Sequence, residues 1–281
     1  MHRGLLGGNG QTVLLLAAVA AGLPHGALDH WTARRAFEPR WAGRWWMPFL
    51  GGYLLLAGAV LFAWSVVPTA MLAFFLAMSW LHFGAEDNSV AGRGSLAGQL
   101  AHGGLPIALP ILARPGDVRS IFSWLAGPQG ADALLAVVAG PVAALWAAAC
   151  AITFVTWVHR GRAGPGLGAA VEVGALACLF TALPPLTAFS VYFVAVHTPR
   201  ALADLAGRLP ADARSPARLA SGAAPLTLLA ICGGGILWWS TAERAFAADA
   251  ARVAFMLLGA LTVPHLWLEW QSERRDAGLR T

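Results

Sequence analysis

The sequence predicts an all-α integral membrane protein, a polytopic bundle of about nine transmembrane helices. Of its 281 residues, 58% are hydrophobic and only 12% are charged, and the mean hydropathy is +0.62. Soluble domains carry about a quarter charged residues, so this chain cannot cover a water-facing surface of ordinary size. Its apolar residues also form long stretches, and a helix needs about 20 of them to cross a bilayer. Lipid is therefore expected to be the main solvent.

The apolar stretches predict the individual spans in chain order. The second and third are separated by Pro68, and the sixth and seventh by Pro184 and Pro185, so each of these pairs is expected to form a tight hairpin. Because span boundaries shift by a few residues, eight to ten helices fit the pattern. No linker interrupts it, which favours one transmembrane domain over residues 1–281. The expected spans are 12–32, 45–66, 69–84, 96–113, 131–158, 166–183, 185–206, 222–242 and 251–270.

The orientation follows from the basic residues, which are all arginines and lie in short segments between the spans. With the N-terminus outside, the cytoplasmic segments hold Arg34, Arg35, Arg40, Arg44, Arg93, Arg160, Arg162, Arg208, Arg214, Arg218, Arg274, Arg275 and Arg280. The other side keeps Arg3, Arg114, Arg119, Arg244 and Arg252, and Arg200 lies within the seventh span. The positive-inside rule then predicts an N-out, C-in protein that crosses the plasma membrane several times.

Other function classes find no support in the sequence. The net charge of +5 comes from these arginine clusters and not from a phosphate-binding stripe, so a nucleic acid is not an expected partner. The three cysteines lie in apolar runs and predict no disulfide framework. The chain also lacks a Walker loop, a Gly-x-Ser-x-Gly elbow, a dinucleotide fingerprint and the repeated histidine boxes of membrane desaturases.

Five histidines fall inside predicted spans, where an ionisable side chain is costly and indicates a functional site. On the expected topology, all five lie roughly 5–15 Å below the cytoplasmic surface, at a rise of about 1.5 Å per residue. Converging imidazoles predict an iron, copper or zinc site in the bundle core. Alternatively, each imidazole bonds a carbonyl across a helix interface. The five are His25, His82, His102, His197 and His265.

Three of these histidines are followed four residues later by a carboxylate, on the same helix face. Such a carboxylate can accept the second N–H of the ring and orient it toward a metal. Glu86 and Glu269 alternatively mark the water boundary, and Glu172 is either a further partner or a charge paired across the bundle. The three pairs are His25 with Asp29, His82 with Glu86, and His265 with Glu269.

Several motifs together resemble the Brp/Blh family of bacterial and archaeal β-carotene 15,15′-dioxygenases. They are Gly-Leu-Pro-His-Gly-Ala-Leu-Asp-His at 22–30, Trp-Leu-His-Phe-Gly-Ala-Glu-Asp at 80–87, Gly-Gly-Leu-Pro at 103–106, His-Thr-Pro-Arg at 197–200 and Pro-His at 264–265. The resemblance covers nearly the whole chain. It implies a membrane enzyme with histidine-bound, non-haem Fe(2+) that splits the central double bond of β-carotene with O₂ into two retinals. Retinal would then supply a rhodopsin-type protein.

Carried onto this sequence, the resemblance implies His25, His82 and His197 as iron ligands. The family pattern at the third ligand is His-x-x-x-His, and here the second position is Ala201. We expect His265 or a water to complete the site, with His102 as the weaker substitute. Asp29, Glu86 and Glu269 would hold the ligands, and no acid–base residue beyond the metal site is expected.

Three other functions remain open at this stage. Ala201 can mark a divergent member that acts on another carotenoid or isoprenoid lipid. The histidines and carboxylates can also form a proton or transport relay without metal. Two facing imidazoles can bind haem. Iron analysis and a Soret band would separate these cases.

Overall fold

The computed structural model describes residues 7–87, 95–159, 165–209, 214–241 and 245–278, and this part of the chain is helical, with no β-strand. The predicted all-α fold class is therefore confirmed. Of the arginines that predict the orientation, Arg3, Arg93, Arg160, Arg162, Arg244 and Arg280 lie outside the described residues.

Thirteen α-helices follow one another along these ranges. They are α1 (Gly8–Ala27), α2 (Asp29–Trp41), α3 (Trp46–Val66), α4 (Pro68–Asp87), α5 (Leu96–Gly103), α6 (Ala108–Ala113), α7 (Pro115–Val137), α8 (Ala143–His159), α9 (Pro165–Ala182), α10 (Pro185–Tyr192), α11 (Thr198–Arg208), α12 (Pro216–Thr241) and α13 (Phe246–Gly278). Short π-helical segments join α7 to α8 (Val138–Val142) and α10 to α11 (Phe193–His197), and a 3-10 turn (Ala42–Arg44) follows α2.

Six helical stretches among the described residues are long and apolar enough to cross a membrane. Their outer surfaces are apolar: Leu55, Phe62 and Ile236 are each more than 70% exposed, and Trp239 is 90% exposed. Side chains of this kind at this exposure suit contact with lipid. The six stretches are Gly8–Arg44, Trp46–Val66, Pro68–Asp87, Pro115–His159, Pro216–Thr241 and Phe246–Ser272.

The other three predicted spans are not among these six. The span expected over 166–183 is helix α9, and the span over 185–206 is one continuous helical stretch of α10, a π-helical segment and α11. The span expected over 96–113 is instead two short helices, α5 and α6, with a turn between them, because mean hydropathy registers apolar composition but not a break in the helix. The count of nine crossings and the N-out, C-in orientation stay predictions.

Contacts group the chain into two compact units. Unit 1 contains the described residues of Met1–Ala18 and Pro68–Ala201, and unit 2 those of Val19–Val67 and Leu202–Thr281. The expectation of one transmembrane domain over residues 1–281 stays a prediction.

The core of unit 1 is built on close contact between α4 and α5. Gly103 lies against the backbone carbonyl of Trp80, so a side chain at this position would collide with it. The indole of Trp80 donates to the carbonyl of Leu100 (2.8 Å), and that of Trp146 donates to the carbonyl of Ala101 (2.9 Å). These bonds satisfy carbonyls near the end of a short helix, where lipid would offer no donor. Phe83, Leu105, Leu176, Phe180, Ala188 and Tyr192 are buried together beside this contact.

The π-helical segment Phe193–His197 changes the helical register between α10 and α11. In a π turn each hydrogen bond spans one more residue than in an α turn. Tyr192 and His197 are both fully buried, and their rings are stacked, with centroids 6.4 Å apart. Because of this change of register, the side chains of Tyr192 and His197, which belong to one continuous helical stretch, both lie in the core of unit 1.

Two small cores lie among the described residues of unit 2. Ala27, Leu28 and Ala223 form one, and Ala33, Phe49 and Leu268 form the other. Alanines at helix crossings allow the backbones to come close, which is typical of membrane helices. The second core brings α2, α3 and α13 together and thereby sets the positions of their polar side chains.

Candidate functional site

In unit 1, His82 and His197 face each other although they are far apart in sequence. His82 lies in the last turns of α4, and His197 ends the π-helical segment before α11. Their ring centroids are 5.1 Å apart with the rings nearly perpendicular (74°), and both side chains are buried. Two of the predicted ligands therefore lie together in an apolar core.

Asp87 and Tyr192 hold the ring of His197. The Nδ1 atom of His197 lies 3.2 Å from Oδ2 of Asp87, and the Tyr192 hydroxyl donates to the same oxygen over 2.5 Å. All three side chains are almost fully buried. An ionised carboxylate only accepts hydrogen bonds, so a neutral His197 carries its proton on Nδ1. Its Nε2 atom then keeps the lone pair that a metal needs.

Glu86 lies beside both histidines of unit 1. Its Oε2 atom is 3.8 Å from Nε2 of His82 and 3.9 Å from Nδ1 of His197. The four-residue spacing thus places Glu86 and His82 on one face of α4. The glutamate adds a negative charge close to both imidazoles.

A second polar group in unit 1 contains His102, Glu172 and Arg200. Arg200 donates to Oε2 of Glu172 (2.7 Å) and to the backbone carbonyl of Asp87 (2.9 Å). Glu172 is therefore a charge paired within the bundle, one of the two alternatives that the sequence left open. His102 is buried, with Nε2 3.9 Å from Oε1 of Glu172, and its ring nitrogens make no hydrogen bond to the described residues.

In unit 2, His25 and His265 form a comparable pair. Their ring centroids are 6.1 Å apart and the rings are perpendicular (88°). The Nδ1 atom of His25 lies 2.5 Å from the carbonyl oxygen of Gly22, which only accepts, so the proton of a neutral His25 lies on Nδ1. Pro24 precedes His25 and Pro264 precedes His265 within their helices.

Asp29 and Tyr53 hold the ring of His265. Oδ1 of Asp29 lies 2.7 Å from Nδ1 of His265, and the Tyr53 hydroxyl lies 3.3 Å from Oδ2 of Asp29 and 3.2 Å from the carbonyl of Leu261. Asp29 is buried. The sequence spacing suggested His25 as the imidazole that Asp29 orients, whereas this hydrogen bond reaches α13.

Two further predicted residues have clear positions. Glu269 lies one turn after His265, with its Oε2 atom 3.7 Å from Nε2 of that ring. Ala201 lies in the first turn of α11, four residues after His197, and is partly buried. Its methyl group cannot bind a metal.

Both units thus contain the same order of groups, a tyrosine hydroxyl, an aspartate and a histidine Nδ1. These are the only two tyrosines of the chain. Sequence reasoning missed Asp87 and did not assign a polar role to either tyrosine. The available signal was a second carboxylate, directly after Glu86 at the end of α4.

The donor chemistry fits a metal centre. Neutral imidazoles with Nδ1 bonded to a carboxylate or carbonyl are common ligands of iron, copper and zinc. His25, His197 and His265 all have such an acceptor at Nδ1. Aromatic carbon covers the rest of the His197 ring: Phe83 contacts it edge-on (centroids 4.9 Å apart) and Phe193 stacks on it (5.4 Å).

Comparison with known proteins gives a consistent result. The family model described as beta-carotene 15,15'-dioxygenase matches residues 16–271. A protein of Halobacterium salinarum named "Probable beta-carotene 15,15'-dioxygenase Blh" is 30% identical over 280 residues, with 90% of this chain and 81% of that protein covered. A "Beta-carotene 15,15'-dioxygenase" of an uncultured marine bacterium is 29% identical over 270 residues, with 90% of each covered. No solved structure matches significantly.

Proposed function

The chain belongs to the beta-carotene 15,15'-dioxygenase family, and we propose on that premise that it cleaves the central 15,15′ double bond of β-carotene in the membrane. The observation that carries the proposal is the family match over residues 16–271, which includes all the predicted ligands. The reaction consumes one β-carotene and one O₂ and gives two all-trans-retinals. One carbon–carbon double bond and the O–O bond break, and each retinal receives one oxygen atom.

We propose Fe(2+) as the metal and His25, His82, His197 and His265 as its ligands. In support, each unit holds two of these imidazoles edge to face, and three of the four have Nδ1 bonded to an acceptor. Bound iron would supply the one-electron chemistry that lets triplet O₂ react with a spin-paired alkene. Asp29, Glu86, Asp87 and Glu269 lie near these rings as carboxylates that orient them and balance the charge of a cation.

The protein's own part in the reaction is to bind and orient. Phe83 and Phe193 cover His197 with aromatic carbon, so a polyene meets an apolar wall there and water is excluded. Holding the midpoint of a long, rigid substrate beside the ligands makes one double bond the reactive one. No side chain needs to transfer a proton in this scheme.

Ala201 removes one ligand that the resemblance leads one to expect. We propose that His265 takes this role, supported by its partial burial and its 2.7 Å contact with Asp29. We also propose a plasma membrane location, supported by the six apolar helices. A retinal-binding rhodopsin as recipient of the product, and membrane lipid as the medium from which the substrate is taken, are part of the same proposal.

Co-expression in bacterial cells that accumulate β-carotene tests the function. We expect loss of the orange colour and, by chromatography, two retinals for each β-carotene consumed. His197→Ala, checked by immunoblot for equal accumulation, is expected to leave the pigment intact. His159→Ala, at the exposed end of α8, is the matched control and is expected to behave like the unchanged protein.

Each other result has a definite meaning. Unchanged pigment in cells that contain the folded, unaltered protein would refute cleavage of β-carotene. Pigment loss that yields aldehydes of other chain lengths would place the cleavage elsewhere on the polyene. Full activity of His197→Ala would remove that histidine from the ligand set.

A further inference from the structure

The two tyrosines reach the histidines through an aspartate. In unit 1 the Tyr192 hydroxyl bonds Oδ2 of Asp87, which also lies within hydrogen-bond distance of Nδ1 of His197. In unit 2 the Tyr53 hydroxyl lies 3.3 Å from Oδ2 of Asp29, whose Oδ1 is 2.7 Å from Nδ1 of His265. The carbonyl oxygen of Leu261 lies 3.2 Å from the same hydroxyl, so its one hydrogen is shared between the two acceptors. The same three groups therefore occur in the same order twice, on different helices.

The carboxylate between the phenol and the imidazole determines where the protons of these two groups lie. A carboxylate in its ionised form has no hydrogen to donate. The phenol and the ring therefore each supply one, which leaves Nε2 of the histidine unprotonated when the ring is neutral. A phenol bonded to the carboxylate limits its rotation, and the oriented carboxylate in turn limits the ring.

A purely structural role for the hydroxyls explains less. Other hydroxyls within the helices bond backbone carbonyls of their own helix, as Ser190 does with Leu186 and Thr12 with Gly8. Such bonds satisfy the hydroxyl without any carboxylate. The chain contains 13 phenylalanines and only two tyrosines. Both tyrosine hydroxyls lie within hydrogen-bond distance of an aspartate that contacts a histidine, and Tyr53 shares its hydrogen with the carbonyl of Leu261.

We propose that Tyr53 and Tyr192 are positioning residues that set the tautomer and orientation of His265 and His197 for metal binding. The inference rests on the iron centre of the proposed function and adds the residues that pre-organise it. Removing either hydroxyl leaves the ligand atoms in place but lets the carboxylate and ring rotate. The cost then appears in metal affinity more than in folding.

The test is anaerobic Fe(II) titration of the purified full-length apoprotein against a competing chelator. We expect Tyr192→Phe and Tyr53→Phe each to weaken Fe(II) binding about tenfold, at the low end of what partners of metal ligands contribute. Ser190→Ala, which removes a buried hydroxyl two residues from Tyr192, is the matched control and is expected to bind as tightly as the unchanged protein. The thermal unfolding midpoint of each apoprotein is measured in parallel.

A double-substitution cycle shows whether the phenol acts through the carboxylate. If it does, Tyr192→Phe added to Asp87→Asn weakens Fe(II) binding no further than Asp87→Asn alone. Independent, additive losses would overturn the proposal. An unchanged Fe(II) affinity of Tyr192→Phe with a lowered unfolding midpoint of its apoprotein would also overturn the proposal, because the hydroxyl would then contribute only to packing.

The retinal assay separates this inference from the proposed function. Retinal formation by the unchanged protein, together with unaltered Fe(II) affinity in both tyrosine variants, overturns the positioning role and leaves the function standing. Weakened Fe(II) binding in the variants, with no retinal from the unchanged protein, supports the positioning role and overturns β-carotene cleavage. An unchanged protein that binds no Fe(II) overturns both.

Discussion

Oδ1 of Asp29 and Nδ1 of His265 lie 2.7 Å apart, so a hydrogen bond joins the start of α2 to the middle of α13 inside unit 2. Asp29 is buried and His265 is partly buried. A carboxylate in such surroundings is stable only when its charge is compensated. The hydrogen bond therefore restricts both the position at which α13 packs and the orientation of the His265 ring.

The histidines proposed as ligands are predicted to control iron content. Replacing His25, His82, His197 or His265 with alanine should reduce bound iron to well below one ion per chain, because each removes a donor from the set. Iron in the purified protein is measured by atomic emission, alongside retinal formation. His159→Ala should keep the full content. Unaltered iron in a His265→Ala protein would show that a different group is the fourth ligand.

Ala201 is predicted to limit metal affinity. Ala201→His adds an imidazole one turn after His197, on a partly buried position, and should tighten Fe(II) binding and raise the rate of retinal formation several-fold. Chelator competition gives the affinity. Ala203→His, two residues further along α11 and exposed, is the matched control and should change neither quantity. Equal effects of the two substitutions would contradict the prediction.

Gly103 is predicted to be essential for the packing of α5 on α4. In Gly103→Ala the new methyl group would meet the backbone carbonyl of Trp80, and such overpacking costs about 1–3 kcal/mol. A lower thermal unfolding midpoint in detergent is the measurement. Gly58→Ala on α3, where the added carbon meets no atom within 4 Å, should not lower the midpoint, because alanine favours a helix more than glycine does. A stable Gly103→Ala protein would show that the two helices can move apart without loss.

The ion pair of Arg200 and Glu172 is predicted to stabilise unit 1. Arg200→Gln leaves a half-buried carboxylate without its cation and should cost about 1–3 kcal/mol. Adding Glu172→Gln should recover part of this loss, because no charge is then left behind. Chemical denaturation checks both variants. Arg208→Gln, from the more exposed pair with Asp204 on α11, should cost less than about 1 kcal/mol.

The orientation of the chain is predicted to be N-out, C-in. A green fluorescent protein fused to the C-terminus should fluoresce in a bacterial host, while alkaline phosphatase fused there should be inactive. The reason is the excess of arginines in the segments assigned to the cytoplasm. Active phosphatase at the C-terminus would mean that the helix count or the orientation is different.

Much of the fold was predictable because it depends on composition. In lipid the backbone N–H and C=O groups must bond one another, and a long apolar run in a chain with few charges does this as a helix. The division of 96–113 into α5 and α6 was not predictable from hydropathy, because the residues at the break, Gly104 to Ile107, are as apolar as their neighbours or as small. The same residues do contain a helix-ending signal, because Gly103 and Gly104 favour the end of α5 and Pro106 has no backbone N–H with which to continue it.

The histidines were predictable for a related reason, since an imidazole within an apolar run is costly and is noticed at once. Their partners were harder to identify. The hydrogen bond of Asp87 to Tyr192 spans 105 residues, and that of Asp29 to His265 spans 236. A four-residue spacing identifies neighbours on one helix, as it does for His82 and Glu86, but it contains no information about a partner on another helix.

The π-helical segment Phe193–His197 also restricts how the length of this protein can vary. Each residue of an α-helix rotates the chain by about 100°, and the wide turn accommodates one residue more than an α turn would. Deleting one residue here would restore an ordinary turn and rotate His197 and α11 away from the face that Tyr192 and Asp87 share. Insertions and deletions are therefore expected to be tolerated in the polar segments between helices and selected against within this segment, even where every substitution in it is conservative.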